Sequence, residues 1–128
     1  MGKAPCRKLY LAGGFKSGWQ AEVHAVLIGY DILDPSKHNI QDPKSFTDWD
    51  LTAIRQSDIV LANMEATNPG GYSLALEIGY ARALGKSIIF VEQIADPKIR
   101  YYFEMIRQCS DAVFHNLCDA LDFLNNID

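Results

Sequence analysis

Short apolar runs alternate with helical stretches five times along this chain. That alternation predicts an α/β fold: a parallel sheet covered by helices on both faces, a three-layer sandwich. The third run, Ile59–Met64 (IVLANM), is apolar almost throughout, as a strand buried on both faces must be. Helix-forming stretches separate the runs, so the crossovers are right-handed and span the faces. Five such strands suggest the order 2-1-3-4-5, and 128 residues suit one domain, residues 1–128, with a real core.

The elements follow in order. Arg7–Gly13 (RKLYLAG) reads as the first strand and ends in Gly13-Gly14. A helix over about 17–28 follows, with Ser17 as its N-cap and Val23, Val26 and Leu27 on one buried face. His24 lies beside that stripe without a second ligand-type residue at i+3 or i+4, so it reads as a partly exposed helix residue rather than a metal ligand. Tyr30–Leu33 is a short second strand, ended by Asp34-Pro35. Residues 35–46 are polar with two prolines and read as a long loop, a candidate lid or binding segment carrying His38. Thr47 is expected to cap a helix running to about Gln56, with Asp48 and Asp50 at its positive end and Leu51 and Ile54 pointing inward.

After Ile59–Met64 comes the stretch 68–86, NPGGYSLALEIGYARALGK, a turn signal followed by an unbroken helix that Gly85 and Lys86 stop. Its apolar and small residues predict extensive burial, with Arg82 reaching solvent or a partner. Residues 87–91 form a fourth strand, 99–108 a helix, 110–114 a fifth strand. Residues 117–127 form an amphipathic helix with Leu117, Ala120, Leu121 and Leu124 on one face.

Composition bounds the partners. The chain is 48% hydrophobic and 22% charged, with a net charge of −4 and no basic stripe, which argues against a nucleic-acid polymer. No run approaches the length of a membrane span, and no signal peptide precedes the first strand, so a cytoplasmic protein is expected. Cys6, Cys109 and Cys118 are odd in number and far apart, which suits reduced thiols.

In a sheet of this order a ligand sits beyond the carboxyl ends of the strands, where the first and third diverge. Gly13, Gly14, Phe15, Glu65 and the start of the central helix converge there, and the second strand adds Asp34. The glycines let a ligand approach the backbone, but their spacing is that of neither a dinucleotide fingerprint nor a phosphate-binding P-loop. Glu77 shares a helix face with Tyr80, Ala81 and Leu84, and an acid there needs partners or a task. Asp50 is a second carboxylate within reach of the same place, or merely a favourable charge in the first turn of its helix. Two carboxylates at one pocket suit glycosidic bond cleavage, one as nucleophile or charge stabiliser and the other as acid.

Three segments, YLAGGFKSGWQ, WDLTAIRQSDIVLANME and NPGGYSLALEIGYARALGKSIIFVEQ, in this order and spacing resemble the nucleoside 2-deoxyribosyltransferase family. The resemblance runs from Tyr10 through about Val113 and implies a flavodoxin-like fold. It implies that Glu77 is the nucleophile forming a deoxyribosyl ester at C1′, that Asp50 is the acid serving the departing base, and that Tyr10 orients the nucleophile. It places Phe15 near the base, with Asp34 and Ser36 in the loop that touches it.

A nucleoside or nucleotide and a free base are the implied partners, and neither a metal nor an organic cofactor is needed. Transfer needs a second base, and water in its place gives hydrolysis. The family's acid six residues before the nucleophile is Gly71 here, so Asn68 or Ser73 is expected to take over the contact with the sugar 5′ end. Family sites are completed by a polar residue of a neighbouring subunit. The comparable stretch here places Met105 at the pocket, and a homo-oligomer, at least a dimer, is expected. A hydrolase of 2′-deoxynucleoside 5′-monophosphates and a non-catalytic nucleotide-binding module are the alternative readings.

Overall fold

The structure, a computed structural model, describes residues 6–66 and 71–127. Five parallel strands form one sheet in the order β2-β1-β3-β4-β5: β1 (Arg7–Gly13), β2 (Tyr30–Leu33), β3 (Ile59–Met64), β4 (Ser87–Glu92) and β5 (Ala112–Phe114). The expected order is the observed one. All six residues of β3 are buried, because this central strand has sheet on both edges and helices on both faces.

Period-two alternation divides the strand side chains between two cores. Leu9, Leu11, Ile59, Leu61, Ile89 and Val91 meet α1 (Trp19–Val26) and α6 (Leu117–Asn126). Tyr10, Ala12, Val60, Ala62, Ile88 and Phe90 meet α2 (Pro43–Gln56) and α3 (Gly71–Ala83). Leu117, Ala120, Leu121 and Leu124 of α6 are all buried, as their spacing requires.

Several boundaries differ from the sequence expectation, and the reasons are local. The helix α1 starts after Gly18, which adopts φ 73, and Ser17 only receives the Trp19 N–H at 3.3 Å. The stretch 35–46 is not one loop. Asp34-Pro35 opens a short 3₁₀ turn (Pro35–Lys37), and Asp42-Pro43 opens α2, four residues before Thr47. Asp96-Pro97 likewise opens α4 (Pro97–Tyr101), so the expected helix over 99–108 is two short ones, α4 and α5 (Glu104–Gln108). In each case the aspartate side chain accepts a backbone N–H two or three residues on, and proline fills the position whose N–H would go unpaired.

The central helix α3 is buried less than expected. Leu74, Glu77, Ile78 and Ala81 are buried, whereas Tyr72, Leu76 and Leu84 are exposed. Its end is as expected: Gly85 takes φ 74, and the Lys86 N–H reaches the Ala81 carbonyl at 3.0 Å. No helix among the described residues is long and apolar enough to cross a membrane.

Candidate active site

A cavity of about 360 Å³ opens at the carboxyl end of the sheet, a size that suits a small organic ligand. Tyr10, Gly13, Gly14, Phe15, Asp50, Ser73 and Glu77 line it, together with His38 and Phe46. These residues come from β1 and the turn after it, α2, α3 and the segment between β2 and α2. They meet because β1 and β3 are neighbours while their crossovers leave on opposite faces.

Gly13 makes the close approach possible. It has φ 146, and a Cβ there would lie 2.7 Å from the Asn63 carbonyl oxygen and 3.1 Å from the Trp19 ring. Gly14 contributes its carbonyl, which accepts the Trp19 indole N–H at 2.8 Å and the Gln20 amide at 3.0 Å. The turn after β1 is thus tied to α1, and its outer side faces the cavity.

Glu77 is buried on α3, and the Tyr10 hydroxyl donates to its Oε2. Burial pushes the Glu77 carboxyl up to about 7, the Tyr10 hydrogen bond pulls against that rise, and the charge of Asp50 adds to it. Burial, and then the charge of Glu77, hold the Tyr10 hydroxyl far above its ordinary value. Tyr10 is therefore a permanent donor that favours the ionised carboxylate. Asp50 is also raised by desolvation, opposed by a hydrogen bond from His38. The His38 Nε2 stands 3.2 Å from Asp50 Oδ1. Two acids with raised pKa values thus face one cavity, a form suited to one acting as base or nucleophile while the other acts as acid.

Not every expected residue reaches the cavity wall. Asp34 is buried and occupied: its Oδ1 accepts the Ser36 N–H at 2.9 Å and the Ser36 hydroxyl at 2.6 Å, and its Oδ2 meets His24 Nε2 at 2.9 Å. Asp34 and Ser36 thus shape the turn that presents Pro35 to the cavity. Met105 is exposed and lines a separate apolar groove with Tyr72, Gly79 and Tyr102. Gly71 is the first residue of α3, and Asn68 lies outside the described residues.

Sequence reasoning left two residues aside. His38 read as either a ligand contact in the loop or plain loop polarity, and its pairing with Asp50 was missed because nothing in the sequence links it to a carboxylate 12 positions on. Glu92 ends β4 fully buried, held by Arg107 Nη2 at 2.9 Å from both carboxylate oxygens and by Arg100 Nε at 3.2 Å. That ion cluster fastens α4 and α5 to the sheet beside the site.

Residues 9–118 match the family model described as nucleoside 2-deoxyribosyltransferase. This chain belongs to that family. A match over that span covers the strand carrying Tyr10, the helix carrying Asp50 and the helix carrying Glu77. Among solved structures, a 2-deoxyribosyltransferase from Leishmania mexicana superposes with a TM-score of 0.74 at 20% identity, covering 93% of this chain and 97% of that one. A 2-deoxyribosyltransferase from Bacillus psychrosaccharolyticus gives 0.72 at 20% identity, covering 94% and 92%. A CMP N-glycosidase from Clostridium botulinum gives 0.63 at 21% identity, covering 94% and 100%. No curated protein matches the sequence. The chain is an enzyme of the N-glycosidic bond.

Proposed function

We propose that this protein transfers deoxyribose between bases of 2′-deoxynucleosides through a covalent ester on Glu77, with water as a competing acceptor. The observation that carries the reading is the buried Glu77, hydrogen-bonded by the Tyr10 hydroxyl, in one cavity with a second perturbed carboxyl, Asp50. A Glu77 carboxylate oxygen attacks C1′ as the C1′–N bond breaks, and the electron pair of that bond goes to the departing base. Asp50 supplies the proton the base takes away. A second base then attacks C1′, Asp50 takes up its proton, and the carboxylate of Glu77 is released. Tyr10 holds the nucleophile in line and in its charged form.

Phe15 and Phe46, both partly exposed on the cavity wall, offer apolar surface to the base. Ser73, one turn before Glu77 on the same helix and on the same wall, is assigned the sugar 5′ contact that Gly71 cannot make. Asp34 and Ser36 act indirectly, by placing Pro35. One domain spanning the chain, a cytoplasmic location and a role in nucleotide salvage complete the reading, in keeping with three free cysteines. A homo-oligomer, at least a dimer, is proposed from the exposed Tyr72, Tyr102 and Met105 around one apolar groove.

The test is product analysis with deoxynucleosides and their 5′-monophosphates, with and without a second free base, on wild type and Glu77→Ala. A new nucleoside formed only with the second base, and lost in the folded variant, is the expected result. Free sugar released regardless of acceptor would replace transfer by hydrolysis, and release from the monophosphate alone would select the nucleotide hydrolase. Undiminished turnover in Glu77→Ala would remove the nucleophile.

A further inference from the structure

His38 is held on three sides. Its Nδ1 accepts the Ile40 N–H at 3.1 Å, its ring meets the Trp49 ring edge-on at 4.7 Å between centroids, and its Nε2 faces Asp50 Oδ1 at 3.2 Å. The side chain is only 12% exposed. An Nδ1 that accepts a backbone N–H carries no proton, so the neutral ring carries its proton on Nε2 and donates it to Asp50. One oxygen of the carboxyl group is thereby assigned. Oδ1 receives a donor whether Asp50 is charged or neutral, and a proton placed on Oδ1 would oppose that bond. Among the described residues no hydrogen-bond donor reaches Oδ2.

We propose that His38 is a positioning residue that confines the acid proton of Asp50 to Oδ2, the oxygen left for the departing base. Resting on the reading of Asp50 as the acid, this adds what that reading lacks, a reason why the proton sits on the useful side of the carboxyl group. In the cleavage step the Oδ2–H bond breaks as the base nitrogen takes the proton, and the negative charge left on the carboxylate is received in part by His38 Nε2–H. His38 acts through its Nε2–H, while its Nδ1 is engaged as acceptor of the Ile40 N–H. The imidazole is thus a fixed donor and not a relay, the arrangement in which a second group orients the acid. Deleting it frees the carboxyl to rotate and to place its proton on either oxygen.

The structure expects an effect that depends on how badly the base needs a proton. His38→Phe keeps a ring against Trp49 and removes the donor. His38→Gln keeps an amide N–H near the Nε2 position. Two substrate pairs separate the cases: 2′-deoxyuridine against its 5-fluoro derivative, and 2′-deoxyguanosine against its N7-methyl derivative, whose base departs without a proton. For His38→Phe, kcat on the unmodified member should fall roughly a hundredfold with KM little changed, and at least tenfold less on the better-leaving member. His38→Gln should recover most of the loss. Nitrogen NMR of wild-type His38 should show the Nε2–H form at neutral pH.

Equal losses on both members of a pair, no rescue by Gln, or an Nδ1–H ring would overturn the positioning role while leaving Glu77 and Asp50 untouched. Ester formation on Glu77, followed by mass spectrometry in the same samples, reports separately on the underlying reading. A wild type that turns over none of the four substrates overturns that reading and the positioning role with it.

Discussion

Replacing Glu77 with glutamine should make the protein more stable while abolishing its chemistry. Burial raises the Glu77 carboxyl from 4.5 to about 7. A carboxyl whose folded pKa lies above its unfolded value favours the fold only while it is protonated. The cost of holding it is therefore absent below about pH 4.5 and complete above about pH 7. At about 1.4 kcal/mol per pH unit, the rise corresponds to about 3 kcal/mol of lost stability in mildly alkaline solution. Glutamine has the same shape and still accepts the Tyr10 hydrogen bond, but carries no charge to desolvate. Urea unfolding of Glu77→Gln and wild type at about pH 4 and about pH 8 tests this. The variant should match wild type at the lower pH and exceed it by about 3 kcal/mol at the higher. A gain of the same size at both pH values would refute the electrostatic origin, and a loss at about pH 8 would mean that Tyr10 and its surroundings already compensate the charge in full.

Tyr10→Phe removes the hydrogen bond that, among the described residues, pulls the Glu77 pKa down, so the acid limb of kcat/KM against pH should move alkaline from about 7 by roughly one unit, given about 1.5 kcal/mol or more for a hydrogen bond to a charge. A limb that stays in place would detach Tyr10 from the ionisation of Glu77. Gly13→Ala puts a Cβ 2.7 Å from the Asn63 carbonyl at a positive φ and should cost at least about 2 kcal/mol in chemical unfolding. A neutral result would mean the turn after β1 can flip without loss. Arg107→Met leaves Glu92 buried with only Arg100 beside it, and should destabilise by about 3 kcal/mol. Retained stability there would show that water takes the place of the guanidinium.

The sheet was readable because its cause is local: alternating short apolar runs and helix-length stretches leave few arrangements, and residues 59–64 announced the central strand. Glu77 stood out because an acid on an apolar helix face is conspicuous, whereas Asp50 could equally have been a first-turn charge, and only the family resemblance suggested roles for the two. The helix starts were less so. Asp34-Pro35, Asp42-Pro43 and Asp96-Pro97 looked like loop punctuation, yet each is a cap followed by a proline at the first helical position. Thr47 lost to Asp42 because a cap works wherever its carboxylate meets the first free N–H, and Asp42 does so at 2.9 Å. Exposure of Leu76 and Tyr72 was hidden from the sequence, since an apolar residue looks the same whether it faces a core or a groove. The His38–Asp50 and Glu92–Arg107 pairs arise from how separate elements cross, and no periodicity encodes them.

The hydrogen bond between Tyr10 and Glu77 joins residues 67 positions apart. The carboxylate on α3 meets the hydroxyl on β1 only when β1 has paired with β3 and the helix has returned across that pair. Neither half of the chain can hold this contact alone, and no single helix can pre-form it. Loop closure over such a separation is slow compared with helix formation. In a refolding experiment, regained catalysis should therefore lag behind regained helicity, and the interval between them would time the knitting of the middle of the sheet.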